Sequence, residues 1–212
     1  ETGGNTAVSE SGNSDTFTIV LDTQPTSDVT FSVSDGSSDE ISLSPTTITF
    51  TNANWDIAQT VTVTGSDDNL VDGSQTSTVT ISVVDEISDD DYDSVVDQTL
   101  SVTTTDNDTA GFTVAESSGS TEVAETGSTD TFTVVLDAQP ASDVVISVTS
   151  ADTGEVTVSD ATLTFTSGNW DASQTITVTG IDDSVIDGSQ TTLVTLAIVD
   201  GSSDDSFDSL DD

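Results

Sequence analysis

No lysine, arginine, histidine, cysteine or methionine occurs in the sequence, against 40 aspartates and glutamates in 212 residues, so the formal charge is -40. Without Lys or Arg there is no phosphate clamp, and nucleic acid would be repelled. The same absence removes polybasic attraction to anionic membranes. Without His or Cys there is no Ser-His or Cys-His nucleophile, no thiolate metal site and no disulfide. Long apolar runs are missing as well. The longest, Leu196-Ala-Ile-Val199, falls far short of the roughly 18 residues a membrane-spanning helix requires, so direct membrane insertion of this segment is not expected. Carboxylate and hydroxyl chemistry remains.

A chain this acidic invites disorder, and its apolar content answers that. Leu, Ile, Val and Phe number 53, about a quarter of the residues, above the roughly 20% below which a highly charged chain stays unfolded. Those residues are also patterned. Val29-Thr-Phe-Ser-Val33 and Gln59-Thr-Val-Thr-Val-Thr64 alternate with the period of two that marks half-buried strands. No segment of ten residues carries a helical period.

The sequence is internally duplicated. Asp15-Thr-Phe-Thr18 recurs as Asp130-Thr-Phe-Thr133, Asn54-Trp-Asp56 as Asn169-Trp-Asp171, and Asp72-Gly-Ser-Gln-Thr76 as Asp187-Gly-Ser-Gln-Thr191, each 115 residues on. The register holds without a gap from Glu1/Glu116 to Asp97/Asp212, with about half of the aligned positions identical. Such self-similarity is the mark of a repeat architecture. Only Gln98 to Ala115 has no copy, and the expectation is a segment of a longer tandem array.

One unit reads as strands over Thr16–Leu21, Asp28–Ser34, Glu40–Leu43, Thr46–Phe50, Gln59–Thr64, Thr76–Val84 and Thr99–Thr104. Short strands at this spacing are the signature of a β-sandwich. The expected fold class is therefore all-β: two tandem Ig-like antiparallel sandwiches of about seven strands each, over residues 1–108 and 109–212, the second without its final strand. Trp55 and Trp170 read as core plugs at strand-leading turns.

The acids avoid the strands and collect in loops. Glu10, the Asp67-Asp68 to Asp72 segment and the Asp106 to Asp108 segment follow alternate strands, which places them at one end of a sandwich. Asp35 and Asp39 fall at that end too. Like charges about 4 Å apart repel by roughly 4 kcal/mol near a protein surface, and no side chain in this sequence can pair them. Ca²⁺, which takes 6–8 oxygens in loose geometry, is the expected counter-charge.

Val8-Ser-Glu-Ser-Gly12, the Asp15–Leu21 strand, the Thr-Val-Thr-Gly-x-Asp-Asp segment ending at Asp68, Asp72-Gly73 and Asp106-Asn-Asp108 together resemble Calx-β domains, and more closely the Calx-β-like repeats of large bacterial surface proteins and adhesins. The resemblance spans each unit nearly end to end. It implies an Ig-like sandwich with a calcium site at its tip. It assigns as ligands Glu10, Asp67, Asp68, Asp72, Asp106 and Asp108 in the first unit, and Glu125, Asp182, Asp183 and Asp187 in the second.

Other motifs weigh less. Asp152-Thr-Gly154 spells the aspartic-protease triplet, but its copy is Ser37-Ser-Asp39, so a turn is expected. Asp89-Asp-Asp-Tyr-Asp93 and Asp204-Asp-Ser-Phe-Asp208 lack EF-hand spacing, although a cation there stays open. The sequence points to a structural, non-enzymatic module of an extracellular, cell-surface or secreted adhesin or filament. Calcium at the junction between repeats would stiffen the array. Its partners would be neighbouring repeats or identical subunits, with a cell-surface or glycan target in addition. The alternative is a module gripping glycan, mineral or ice through its Thr/Ser faces and acidic loops.

Overall fold

Alternating Thr/Ser and Val/Ile/Phe residues give strands one apolar and one polar face, and the computed structural model, which describes residues 5–36, 38–186 and 188–211, is built almost wholly from them. The chain divides into two compact units, residues 1–68 with 73–107 and residues 69–72 with 108–212. Among the described residues, no helix is long and apolar enough to cross a membrane.

The first unit contains β1 (Thr6–Ser9), β2 (Ser14–Ile19), β3 (Val29–Ser34), β4 (Ile41–Ser44), β5 (Thr47–Phe50), β6 (Gln59–Gly65), β7 (Gln75–Val83) and β8 (Gln98–Thr105). They form one sheet in the order β1-β8-β7-β3-β5 and a second in the order β2-β6-β4. All pairings are antiparallel except that of β1 with β8, which runs parallel from Thr6↔Val102 to Ser9↔Thr105. This is an Ig-like β-sandwich. Seven of its strands lie where the alternation places them. The eighth, β1, forms against β8, a partner that its own four residues do not announce.

Between the sheets lie Phe17, Val29, Val33, Ile48, Phe50, Val61, Val63, Val79 and Val102, all buried. Phe31 meets Phe50 edge-on, with ring centroids 6.1 Å apart and planes at 83°, the geometry aromatic quadrupoles prefer. Trp55 packs partly buried against this core, as a plug rather than an exposed stacking ring. The turn that carries it is closed by Asn54, whose Oδ1 accepts the Thr51 amide at 2.6 Å.

The second unit contains β9 (Phe112–Glu116), β10 (Thr129–Leu136), β11 (Val144–Ser150), β12 (Val156–Val158), β13 (Thr162–Phe165), β14 (Gln174–Gly180) and β15 (Val194–Ile198). Its sheets run β12-β14-β10-β9 and β13-β11-β15. The duplication is visible in detail: β6 and β14 bury the same alternate positions, and Asn169 closes the Trp170 turn on Thr166 as Asn54 does on Thr51. Residues 69–72 dock within this unit, where Val71 and Gln139 join backbone to backbone at 3.0 Å and Val71 packs on the core. The Asp152-Thr-Gly triplet is a turn, with Asp152 Oδ1 accepting the Gly154 amide at 2.9 Å.

Candidate metal centre

The β1–β2 turn of the first unit sets one acid apart from the rest. After Ser9 the chain folds back through Gly12, at φ +83°, and Ser9 N–H donates to Asn13 Oδ1 at 2.5 Å. Glu10 is thereby directed inward and is only 1% exposed. Such burial of a carboxylate is rare without a partner of opposite charge, and this chain holds no Lys, Arg or His.

The backbone frame around Glu10 depends on Gly65 at the end of β6. A Cβ there would lie 2.1 Å from the Ser9 carbonyl oxygen, so only glycine allows β1 to cross so closely. The same requirement recurs at Gly180, where a Cβ would lie 2.3 Å from the Ala124 carbonyl oxygen. Glycine at this point of the Thr-Val-Thr-Gly segment is thus a packing device that brings Glu10 beside the loop following β6.

Around Glu10 the ligands expected in the first unit converge in part. Carboxylate oxygens of Glu10 and Asp68 lie within 4.8 Å of each other. The Asn107 amide donates to Glu10 Oε2 at 3.2 Å, and the Asn107 side chain donates to Asp67 Oδ1 at 2.7 Å. Asp106 Oδ2 accepts the Gly73 amide at 2.8 Å. The ends of β1, β6 and β8 are therefore cross-tied through acidic loops. Asp72 and Asp108 belong to the second unit.

Burial pushes the Glu10 carboxyl up to about 7, and the negative charges of Asp106, Asp68 and Glu40 add to this. The hydrogen bond from Asn107 opposes them without prevailing. Glu40 is not among the expected ligands, since it sits at the threshold of β4 and reads as part of that strand. A signal is present: it recurs as Glu155 at the 115-residue offset, in a stretch from Asp35 to Leu43 where no other residue is repeated. An array of oxygen donors with one desolvated, readily protonated member fits a hard divalent cation such as Ca²⁺, which binds carboxylates and carbonyls. Softer ions that select thiolate or imidazole find no such ligand in this sequence.

The second unit arranges its copies differently. Glu125 is partly exposed, and Asp182 and Asp183 are exposed, with Asp183 Oδ1 accepting the Val185 amide at 2.7 Å. Asp187 lies outside the described residues. Among the described residues, Glu125, Asp182 and Asp183 form no cluster of three carboxylates.

Two further acids, Asp89 and Asp204, are buried for another reason. Asp89 Oδ2 accepts the amides of Thr26 at 2.6 Å and Ser27 at 2.8 Å, while Oδ1 accepts that of Asp91 at 3.1 Å. These bonds hold its carboxyl down at about 2. Asp204 accepts from Ser142 and Ser206 in the same way. In the loops left open for a cation by the sequence, these carboxylates are taken up by backbone amides and act as staples.

No protein-family model matches the chain, and no curated protein matches it. Among solved structures, the calcium-binding domain CBD12 of CALX1.1 is 15% identical, with 85% of this chain and 74% of that chain covered at a TM-score of 0.36. The CupB2 chaperone of Pseudomonas aeruginosa is 10% identical over 93% and 91%, at 0.34. The E. coli chaperone DraB is 9% identical over 82% and 83%, at 0.36. At these scores the likenesses carry no argument about function, and the fold stands on its own strand pairing.

Proposed function

We propose that this chain is a pair of calcium-binding structural repeats, of the Calx-β-like kind, from an extracellular adhesin or filament. One observation carries the reading: Glu10 is buried among acids, raised to about 7, in a chain with no cation of its own. An acid whose ionisation is resisted by its surroundings is a site waiting for a counter-charge.

In this reading Glu10 gives up its proton as Ca²⁺ binds, and Asp68, with Asp67 and Asp106 beside it, supplies further oxygens. The bound ion replaces mutual repulsion with shared coordination. It ties the β1–β2 turn, the loop after β6 and the end of β8 into one rigid tip. Extracellular calcium is millimolar, within reach of the weak sites of about 10⁻⁴–10⁻³ M found in extracellular modules. In an array, neighbouring repeats or identical subunits would be the partners, and stiffness would depend on free calcium because each repeat touches only its neighbours.

Calorimetric titration with CaCl₂ at pH 7.5 tests this, with proton release measured in buffers of different ionisation enthalpy. Saturable binding with release of a fraction of a proton per ion supports the proposal. Heats no larger than dilution up to 10 mM calcium, with melting unchanged by EDTA, sink it.

A further inference from the structure

Two hydroxyls inside the first unit are unmet. Thr6 on β1 and Thr104 on β8 are 2% and 0% exposed, and neither hydroxyl has a hydrogen-bond partner among the described residues. The other buried hydroxyls of this unit do find partners: Thr30 meets Thr49 at 3.0 Å, and Ser77 meets Ser38 at 2.7 Å. The parallel register sets Thr6 against Val102 and Val8 against Thr104. The two unmet hydroxyls therefore lie on the inner face of neighbouring strands, one alternate position apart.

A buried hydroxyl without a partner forfeits the hydrogen bond it would make to water, so β1 is seated at a loss. It is also lightly held. It is an edge strand of four residues with β8 as its single neighbour in the sheet. Its parallel pairing is slightly weaker per residue than the antiparallel pairing that joins β8 to β7. Of the inward side chains Thr6, Val8 and Glu10, Val8 alone is apolar. Beyond Glu10 the chain folds back through Gly12 at φ +83°, a pivot that leaves β2 in place. Glu10 itself is 1% exposed. A calcium ion that gathers 6–8 oxygens has no open face of that carboxylate to approach, whereas Asp67 and Asp68 are already exposed.

We propose that β1 is a gate: it swings away from β8 while the remaining strands stay paired, admits the cation to Glu10, and recloses over it. Such sub-global opening draws on the least stable part of a fold. In the open form Thr6 and Thr104 recover hydrogen bonds to water, which offsets the loss of the short ladder and of the Val8 contact. The strap stands on strand pairing and the two hydroxyls, while its part in ion entry rests on the calcium reading. The hydroxyls set how often the gate opens, and so how fast the ion enters and leaves, without belonging to the ligand set.

Hydrogen exchange of the full chain in EDTA at pH 7.5 reads the opening. The amides of β1 and of Glu10, the latter bonded to the Thr105 carbonyl at 3.1 Å, should exchange roughly tenfold or more faster than the protected amides of β3 and β6. Thr6→Val combined with Thr104→Val fills the same space without hydroxyls. It should slow the β1 amides by roughly tenfold, the scale of an unmet buried hydroxyl. Thr104→Ser, which keeps the hydroxyl, should not slow them. Ion passage is read by mixing the calcium-loaded chain with excess fluorescent chelator, and by mixing the metal-free chain with CaCl₂. In the double valine variant release and uptake should slow together by a similar factor, leaving the calorimetric Kd unchanged. The gate is overturned if β1 exchanges no faster than β3 and β6, if the valines leave its exchange as it was, or if they shift Kd with rates unaltered. Absence of saturable calcium binding in the parent would overturn ion entry together with the metal reading, whereas β1 exchange decides the strap in either case.

Discussion

Replacing Glu10 by Gln separates burial from charge, because the amide keeps the shape and an oxygen for the Asn107 amide but cannot ionise. In the folded protein the carboxyl is raised from 4.5 to about 7, chiefly by burial. A carboxyl whose folded value lies above its unfolded value costs nothing below pH 4.5. Its cost grows as pH rises from 4.5 to 7 and is constant beyond. A gap of one pH unit between folded and unfolded values corresponds to about 1.4 kcal/mol, so the metal-free first unit should lose about 3 kcal/mol across that window. Glu10→Gln removes this loss. At pH 8 in EDTA the variant should therefore be more stable than the parent by up to about 3 kcal/mol, and near pH 4 the two should coincide.

Urea unfolding followed by Trp55 fluorescence in a Trp170→Phe background isolates the first unit. For a domain of about 100 residues, 3 kcal/mol corresponds to a change in melting temperature on the order of 10–20 °C. Calcium should reverse the ranking. At 10 mM, about 10 to 100 times a weak extracellular Kd, the parent gains roughly 1.5–3 kcal/mol while the variant gains much less. Salt discriminates the cause. Exposed charges are screened over about 10 Å at 0.1 M, so high NaCl should trim the contributions of Asp106, Asp68 and Glu40 and leave the larger burial penalty. A variant less stable than the parent at pH 8 in EDTA, or one that responds to calcium as the parent does, refutes the reasoning. Loss of the whole pH dependence in 1 M NaCl would refute the assignment to burial.

Gly65→Ala puts a Cβ against the Ser9 carbonyl and should destabilise the first unit by about 1–3 kcal/mol, as overpacking does, while weakening calcium binding; urea unfolding and calcium titration check both. Phe50→Ala removes a fully buried ring and its edge-on contact with Phe31, for a loss of about 3–5 kcal/mol in the first unit, read from its denaturant midpoint. Asp89→Asn acts through pH. A carboxyl held at about 2 by its backbone amides stabilises the fold above its unfolded value of 3.8 and ceases to as pH falls through 3.8 toward 2. The variant should therefore be less stable at pH 6 and less sensitive between pH 4 and 2; equal acid unfolding curves would discount the staple.

Strand placement is legible in the sequence because Thr-Val-Thr and Val-Thr-Phe alternation survives in nearly every strand, and the duplication offers two readings of each. β1 is hidden because what makes it a strand is not its own four residues but β8, about 95 residues later in the chain. Glu10, Asp67, Asp68 and Asp106 are legible from loop position and charge. Glu40 is not, since its part in the site depends on where the β3–β4 loop returns. Asp89 and Asp204 mislead for a related reason: an acidic run gives no sign of which carboxylate turns inward to meet amides such as those of Thr26 and Ser142.

The two units also separate what a residue is from what it does. Glu10 and Glu125 occupy the same position, each at the start of a turn that runs to a positive-φ glycine, Gly12 or Gly127, and the frame of each turn depends on a matching glycine, Gly65 or Gly180. Yet Glu10 is sealed from solvent and Glu125 is not. In the first unit the cover comes from β1 and β8. The parallel pair covers Glu10 and continues into Asn107, whose amide meets its carboxylate. Burial, the main reason the Glu10 carboxyl is raised, is thus delivered by a strand that carries no ligand until its end. The affinity of the first unit for calcium should track the integrity of the β1–β8 pair as closely as the count of acids. Val102→Asp, which breaks that pair without touching any acid, should abolish calcium binding in the first unit even under conditions where its remaining strands stay folded. Retained binding in such a protein, read by calorimetry beside far-UV circular dichroism, would show that the loops alone hold the ion.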